Sequence, residues 1–339
     1  MPLPVLERVE RRRVRYWRRR AAAVTLIGLL AAGGTLAWQL RSHDPPAKAA
    51  ESTADGSPTG ASAPTATVEV TPPGPTEGPA LLVRQGPLAS HGFTPPLGAG
   101  SAILVDGTTG TVLWGRNAHE RLPIASTTKI MTAVLTLEHL RLDHEVVIRR
   151  GIRLIEPFRE GLRPGERIPV RKLLYGLLLF SGNDDALALG QEVGGTNEGF
   201  VRLMNAKAGE LGLEDTQYSN PSGVVDEGNW SSAWDLAALT RYALEKPRFR
   251  AIVATRTKRV TWPAPTYAKV YVNKNHLLTT YAGADGVKTG WTTKANHCLV
   301  ASARRHGIHL IAVVLGSPNA YRDARRVLDL GFRIRGERK

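Results

Sequence analysis

Apolar residues are distributed along this chain in three different ways. Residues 21–40, AAAVTLIGLLAAGGTLAWQL, form an unbroken run of apolar and small side chains with no charge. At about 1.5 Å rise per residue a helix of that length spans roughly 30 Å, the thickness of a bilayer's hydrocarbon core. Residues 41–96 have no periodicity. They hold 11 of the 22 prolines among Ser, Thr and Ala, with one aromatic, Phe93. Such a composition buries too little apolar surface to offset its ordering entropy, so a disordered tether is expected. From residue 97 to 339 short β-type runs and helical periods succeed one another. Runs at 101–105 and 111–114 around a glycine-containing turn predict a hairpin. Apolar spacings of three and four residues predict helices over 126–142, with Ile130, Val134 and Leu137 inward, and over 170–180, 184–193, 198–211 and 234–245. A second hairpin is predicted from 298–303 and 308–315, followed by a helix over 322–330. Strands at both ends with helices between predict an α/β (α+β) domain, an antiparallel sheet flanked by helices with a helical insertion.

Charge sharpens the division. The 339 residues carry a net +15, with 45 Lys and Arg against 30 Asp and Glu, and 42% are hydrophobic. That composition fits a globular protein and excludes a wholly disordered, collagen-like or multi-span membrane chain. Residues 1–20 hold eight arginines against Glu7 and Glu10, a net +6; the tether carries −2, and 97–339 carries +11. A basic flank ahead of an uncharged span predicts a cytoplasmic tail at 1–20, a transmembrane signal anchor at 21–40 and an extracytoplasmic domain. The alternative is a cleaved signal peptide and a secreted domain. Thr35-Leu36-Ala37 is a poor cleavage site, and the run exceeds the usual apolar core of about 7–15 residues. The single cysteine, Cys298, excludes an intrachain disulfide framework, and HExxH and Cys/His clusters are absent, so neither metal nor cofactor is expected. No nucleic-acid-binding signature accompanies the charge, and nucleic acid is not an expected partner.

Three short motifs carry candidate chemistry. Ser126-Thr127-Thr128-Lys129 opens a predicted helix, and positions i and i+3 share a face, so the Lys129 amine reaches the Ser126 hydroxyl. A serine becomes a nucleophile when a neighbouring base takes its proton, and crowding by cations with partial burial makes a lysine such a base. Ser181-Gly182-Asn183 lies at a break between two apolar helices, where a hydroxyl and a carboxamide can face a cleft. Lys288-Thr289-Gly290 is read as a strand ending in a cation and a hydroxyl suited to a carboxylate, with a glycine that lets another backbone approach. Taken singly, the first two are also compatible with helix capping and the third with a solvated edge-strand lysine beside a turn. A further Ser-x-Asn at Ser317-Pro318-Asn319 is expected only to cap the final helix.

In the order S-x-x-K, S-x-N, K-T-G the set resembles the active site of the serine penicillin-recognising enzymes. With Leu122–Ala125 before STTKIMTA, SGNDDALAL, Asn220-Pro221-Ser222-Gly223 and GADGVKTGWT, residues 97 to 332 are similar to the low-molecular-mass D-alanyl-D-alanine carboxypeptidases, serine peptidase family S11. The resemblance implies a β-lactamase/transpeptidase-like fold with an all-helical subdomain. It also implies cleavage of peptidoglycan stem peptides ending in D-Ala-D-Ala, and covalent inhibition by β-lactams. It assigns Ser126 as nucleophile, Lys129 as general base and Ser181 as proton relay. Asn183 is assigned to the substrate amide, and Lys288 and Thr289 to the terminal carboxylate. The backbone N–H groups of Ser126 and Trp291 form the oxyanion hole beside Gly290, and Arg322 lies near the carboxylate. Trp291 stands where some relatives carry histidine. Relatives often have a second, β-rich domain and a C-terminal anchor, whose place the span at 21–40 is expected to take. A class A-type β-lactamase is the alternative enzyme and needs a glutamate to activate water; Glu156-Pro157 precedes Ser181, the wrong side in chain order. A catalytically silent wall-associated scaffold is the non-enzymatic alternative. A buried, inert Cys298 is expected.

Overall fold

The two predicted hairpins meet in one sheet. In the computed structural model, which describes residues 82–86, 94–152, 159–224, 228–262 and 268–336, five antiparallel strands run in the order β2-β1-β5-β4-β3. They are β1 (Ser101–Asp106), β2 (Val112–Arg116), β3 (Ala284–Thr292), β4 (Asn296–Arg305) and β5 (Ile308–Ser317). Between them lie α1 (Lys129–His139), α2 (Val170–Tyr175), α3 (Asn183–Gly194), α4 (Asn197–Glu210), α5 (Ala233–Glu245) and α6 (Pro247–Val253); α7 (Ala320–Ile334) closes the chain. All described residues belong to one unit, Pro72–Lys339. The expected tail at 1–20, the span at 21–40 and Glu156-Pro157 lie outside the described residues, and among those described no helix is long and apolar enough to cross a membrane.

The central strands bury both faces. Ile103, Val105, Val300, Ile311, Val313 and Leu315 point into the larger core shared with the helices. Ala102, Leu104, Ala301, Leu310, Ala312 and Val314 point the other way, under Ala324, Val327, Leu328 and Phe332 of α7. Burial on both sides is why these strands read as continuous apolar runs rather than alternating ones. The register of β1 on β5, from Ser101 opposite Leu315 to Asp106 opposite Leu310, ties the start of the domain to its end.

Several boundaries differ from the sequence reading. The helix expected over 126–142 begins as a 3-10 turn, Ala125–Thr128, and stops at His139, where Leu140 turns extended. The run 170–180 divides into α2 and a π-helical turn, Gly176–Phe180. β3 does not end at Lys288 and Thr289 but runs on to Thr292. Three two-stranded ladders of two to four residues each are too short to carry a period; the longest joins Thr257–Val260 to Lys269–Val272. The tether expected over 41–96 is interrupted as well. Leu82 and Val83, the end of the short apolar run Ala80-Leu81-Leu82-Val83, are buried in the larger core. Arg84 N donates to Gly110 O at 3.0 Å and Arg84 O accepts from Val112 N at 3.0 Å. Residues 82–86 therefore belong to the domain. At the other end Asn319 caps α7, accepting from Arg322 N, and Ser317 Oγ donates to Asp323 Oδ2, so the second Ser-x-Asn has the structural role expected of it.

Candidate active site

The entry to α1 is tightly wound. Ala125 adopts φ +46°, a conformation that costs a residue with a Cβ free energy, and the 3-10 turn that follows sets Ser126 just ahead of the helix bearing Lys129. Lys129 is fully buried. Its Nζ lies 2.9 Å from Ser126 Oγ, 2.8 Å from Asn183 Oδ1 and 2.7 Å from Ser222 O. Burial first, then the charges of Lys288 and Lys274, hold this amine well below the ordinary lysine range. A neutral amine has two N–H donors and one lone pair. With Asn183 Oδ1 and Ser222 O taking the donors, the lone pair is left for the Ser126 hydroxyl proton.

The loop carrying Ser222 is fixed by its own side chains. Asn220 Oδ1 accepts from Ser222 N, Ser222 Oγ and Gly223 N, and Thr132 Oγ1 on α1 donates to Pro221 O at 2.7 Å. Asn220-Pro221-Ser222-Gly223 thus presents a backbone carbonyl to the base.

Ser181 closes the π-helical turn in the left-handed region (φ +70°), so the chain reverses direction before α3 begins. That reversal sends the two side chains of the motif to different lysines. Asn183 meets Lys129, and Ser181 Oγ accepts from Lys288 Nζ at 3.0 Å. Lys288 also donates to Thr289 O, and burial and Lys274 pull its amine down to about 7. Beneath this turn Asp184 accepts from the backbone of Glu160, Gly161 and Leu162 at 2.7–3.1 Å. Asp185 is buried with neither oxygen hydrogen-bonded, and a side chain at Gly176 would lie 2.5 Å from both the Asp185 and Glu160 carboxyls. Burial first, then the charges of Glu160 and Asp184, push the Asp185 carboxyl well above the usual carboxylate range.

β3 brings Lys288, Thr289 and Gly290 against the 3-10 turn. A Cβ on Gly290 would lie 3.0 Å from Ile124 O and 3.1 Å from Ser126 N, so only glycine lets the strand come this close. Ser126, Ser181, Thr289, Gly290 and Trp291 line one cleft of about 230 Å³, with Trp291 half exposed at its mouth. Eight of the nine sequence-predicted residues thereby converge: Lys129, Asn183 and Lys288 stand behind the cleft wall and the other five face it. Arg322 does not join them. Its Nε lies 3.3 Å from Asp323 Oδ1 and its guanidinium reaches back beside Gly98, because capping by Asn319 starts α7 with Ala320 and Tyr321 toward the cleft.

Three of the cleft residues with polar side chains lay outside the sequence reading, namely Lys274, His297 and Tyr321. Lys274 stands between two anchors, Asn273 Nδ2 donating to Val253 O and Asn275 Nδ2 to Gly286 O, and this Asn-Lys-Asn pattern was the available signal. No carboxylate lines the cleft among the described residues, so its field is positive and suits an anionic ligand group. Cys298 is buried in the cleft floor, its thiol pushed up to about 11 by burial.

Comparison with known proteins gives the same direction. Residues 90–319 match the family described as D-alanyl-D-alanine carboxypeptidase, peptidase S11. D-alanyl-D-alanine carboxypeptidase DacF of Bacillus subtilis strain 168 is 37% identical over 249 residues, covering 69% of this chain and 62% of that one, so the match leaves more than a third of that relative's length unspanned. The D-alanyl-D-alanine carboxypeptidase of Streptomyces sp. strain K15 is 34% identical over 263 residues, covering 71% and 89%. The crystal structure of the Streptomyces K15 DD-transpeptidase superposes with a TM-score of 0.67 at 33% identity, over 71% of this chain and 99% of that one.

Proposed function

Because this chain belongs to the D-alanyl-D-alanine carboxypeptidase family, we propose that it removes the terminal D-alanine from peptidoglycan stem peptides through an acyl-enzyme on Ser126. The observation that carries this reading is the 2.9 Å approach of a buried Lys129, its amine held well below the ordinary lysine range, to the Ser126 hydroxyl. Ser126 Oγ attacks the penultimate D-alanine carbonyl as its proton passes to Lys129. The developing oxyanion lies between the N–H groups of Ser126 and Trp291, donors that are fixed before charge appears. The leaving D-alanine takes a proton through Ser181, which Lys288 holds. Its carboxylate is met by Thr289 with the charges of Lys288 and Lys274 behind. Asn183 holds Lys129 from one side and offers its N–H₂ to the substrate amide. Water then attacks the acyl carbonyl, Lys129 again accepting the proton, and serine is released.

A β-lactam amide fits the same steps, and its acyl-enzyme is the inhibited form. No carboxylate touches Ser126 among the described residues, which favours slow deacylation over β-lactamase turnover. Residues 21–40 serve as a single membrane anchor with the catalytic domain outside, supported by the uncharged 20-residue run behind eight arginines. The residues after it, up to the docked Leu82, act as the spacer. Relatives from Streptomyces K15 carry both carboxypeptidase and transpeptidase names, so the acceptor of the acyl group needs a direct test.

A fluorescent penicillin is expected to label the protein covalently, and Ser126→Ala to abolish labelling. Persistent labelling in that variant would overturn the assignment. Mass spectrometry of a pentapeptide substrate should report loss of one D-alanine whether or not an amine acceptor is present; a product carrying the amine would make the enzyme a transpeptidase.

A further inference from the structure

Two adjoining cavities, of about 390 and 530 Å³, form a groove that shares no lining residue with the catalytic cleft. They meet at Leu142, Arg171 and Arg248, on ground supplied by α2, α6 and the strand Thr257–Val260. Six cations line it (Arg141, Arg171, Lys172, Arg248, Lys258 and Arg259) against one carboxylate, Asp143. That carboxylate is taken by Arg141, with both contacts at 3.2 Å. Among the described residues none of the other five cations pairs with an acid. Lys258 instead sits 5.1 Å from the centre of the Tyr175 ring. Burial and the adjacent Arg171 pull the Lys172 amine down, as expected where cations crowd without counter-charge. Between the cations the lining is aliphatic: Leu142, Ala251, Ile252 and Val260.

We propose that this groove binds a linear polymer in which phosphodiesters alternate with short aliphatic linkers. The guanidinium forks of Arg171, Arg248 and Arg259 match phosphate oxygens two at a time, and the aliphatic lining meets the carbon linkers. An acidic polypeptide fits less well, because its backbone amides would lie unpaired on that apolar surface. A nucleic acid needs free aromatic faces for its bases, and the one aromatic ring here, Tyr175, is already covered by Lys258. The groove would hold the domain on an anionic polymer while the cleft works on a neighbouring peptide.

The test uses the full-length protein and a synthetic glycerol-phosphate oligomer bearing a photo-crosslinker and a fluorophore. Crosslinks are expected in peptides covering 141–142, 171–175 and 248–260; crosslinks confined to the arginine-rich residues 1–20 would overturn the proposal. Those residues are common to every variant, so differences between variants report the groove. Arg171→Glu with Arg248→Glu, both exposed positions, should weaken binding at least about tenfold and flatten its salt dependence by about one logarithmic unit per cation. Hydrolysis of a soluble pentapeptide should stay unchanged. Equal binding by the double variant would overturn the proposal. So would competition by polyglutamate or single-stranded DNA as strong, charge for charge, as that of the unlabelled oligomer.

Discussion

Lys129 and Lys288 are both buried and both depressed, and Lys274 contributes to each. The proposed mechanism asks opposite things of them. Lys129 must be neutral to take a proton, so kcat/KM rises with pH through its titration. Lys288 must be charged to meet a carboxylate, so kcat/KM of the free enzyme falls above about 7. Lys288→Arg is expected to remove that alkaline limb, since a guanidinium does not titrate in this range. Lys274→Gln removes a positive neighbour from both amines and raises both pKa values, so the whole bell should move to higher pH; an unmoved profile would refute the coupling. Stability runs opposite to this alkaline limb. The unfolded chain holds Lys288 protonated up to about 10.4 while the folded one releases that proton near 7, so stability should rise with pH between these values. Ser126, Lys129 and Lys288 were legible because their motifs stand in a diagnostic order. Asn220-Pro221-Ser222-Gly223 stood out as part of the resemblance, but the role of Ser222 did not, since it acts through a backbone oxygen that any residue possesses. Arg322 carried a family pattern, but the cap on α7 decides where its side chain goes.

Loops and helix ends decide how the elements meet. Asp184, in the first turn of α3, satisfies three backbone N–H groups of the 160–162 loop. Asp184→Ala strips all three acceptor contacts and is expected to cost about 2–4 kcal/mol in urea unfolding. It should also speed proteolysis near that loop, whereas Asp184→Asn, which keeps one oxygen, should recover part of the loss. Gly290 poses the other contact between elements. Gly290→Val drives a side chain into Ile124 O and Ser126 N, so penicillin labelling should fall by orders of magnitude, with a stability loss of about 1–3 kcal/mol from overpacking. If labelling survives, the close approach of β3 to the 3-10 turn is not what positions the nucleophile. Most helices were readable from apolar spacing to within a few residues. The π-helical turn at Gly176–Phe180 was not, because leucines Leu177 to Leu179 satisfy any helical period; a side chain at Gly176 would meet the Asp185 and Glu160 carboxyls, a constraint no local pattern shows.

Across the whole molecule, strands from the two ends of the domain share one sheet, and α7 seals its outer face. Gly331 sits where a Cβ would come within 2.7 Å of Leu310 and 2.9 Å of Leu104. Gly331→Leu should therefore lower stability by about 1–3 kcal/mol through overpacking, read from the shift in urea midpoint at constant m. That the domain was an α/β assembly could be read from its run of elements. The strand order β2-β1-β5-β4-β3 could not, since strands buried on both faces leave no alternating mark of their neighbours. That order leaves β3 at the margin, with β4 on one side and, among the described residues, no strand on the other. A marginal strand beside a nucleophile is a template: an extended peptide laid along it can borrow its backbone groups as a sixth strand. For the proposed stem-peptide substrate, selection would then depend on main-chain shape before any side chain is read, and N-methylation of a single stem-peptide amide should raise KM even though every side chain is retained.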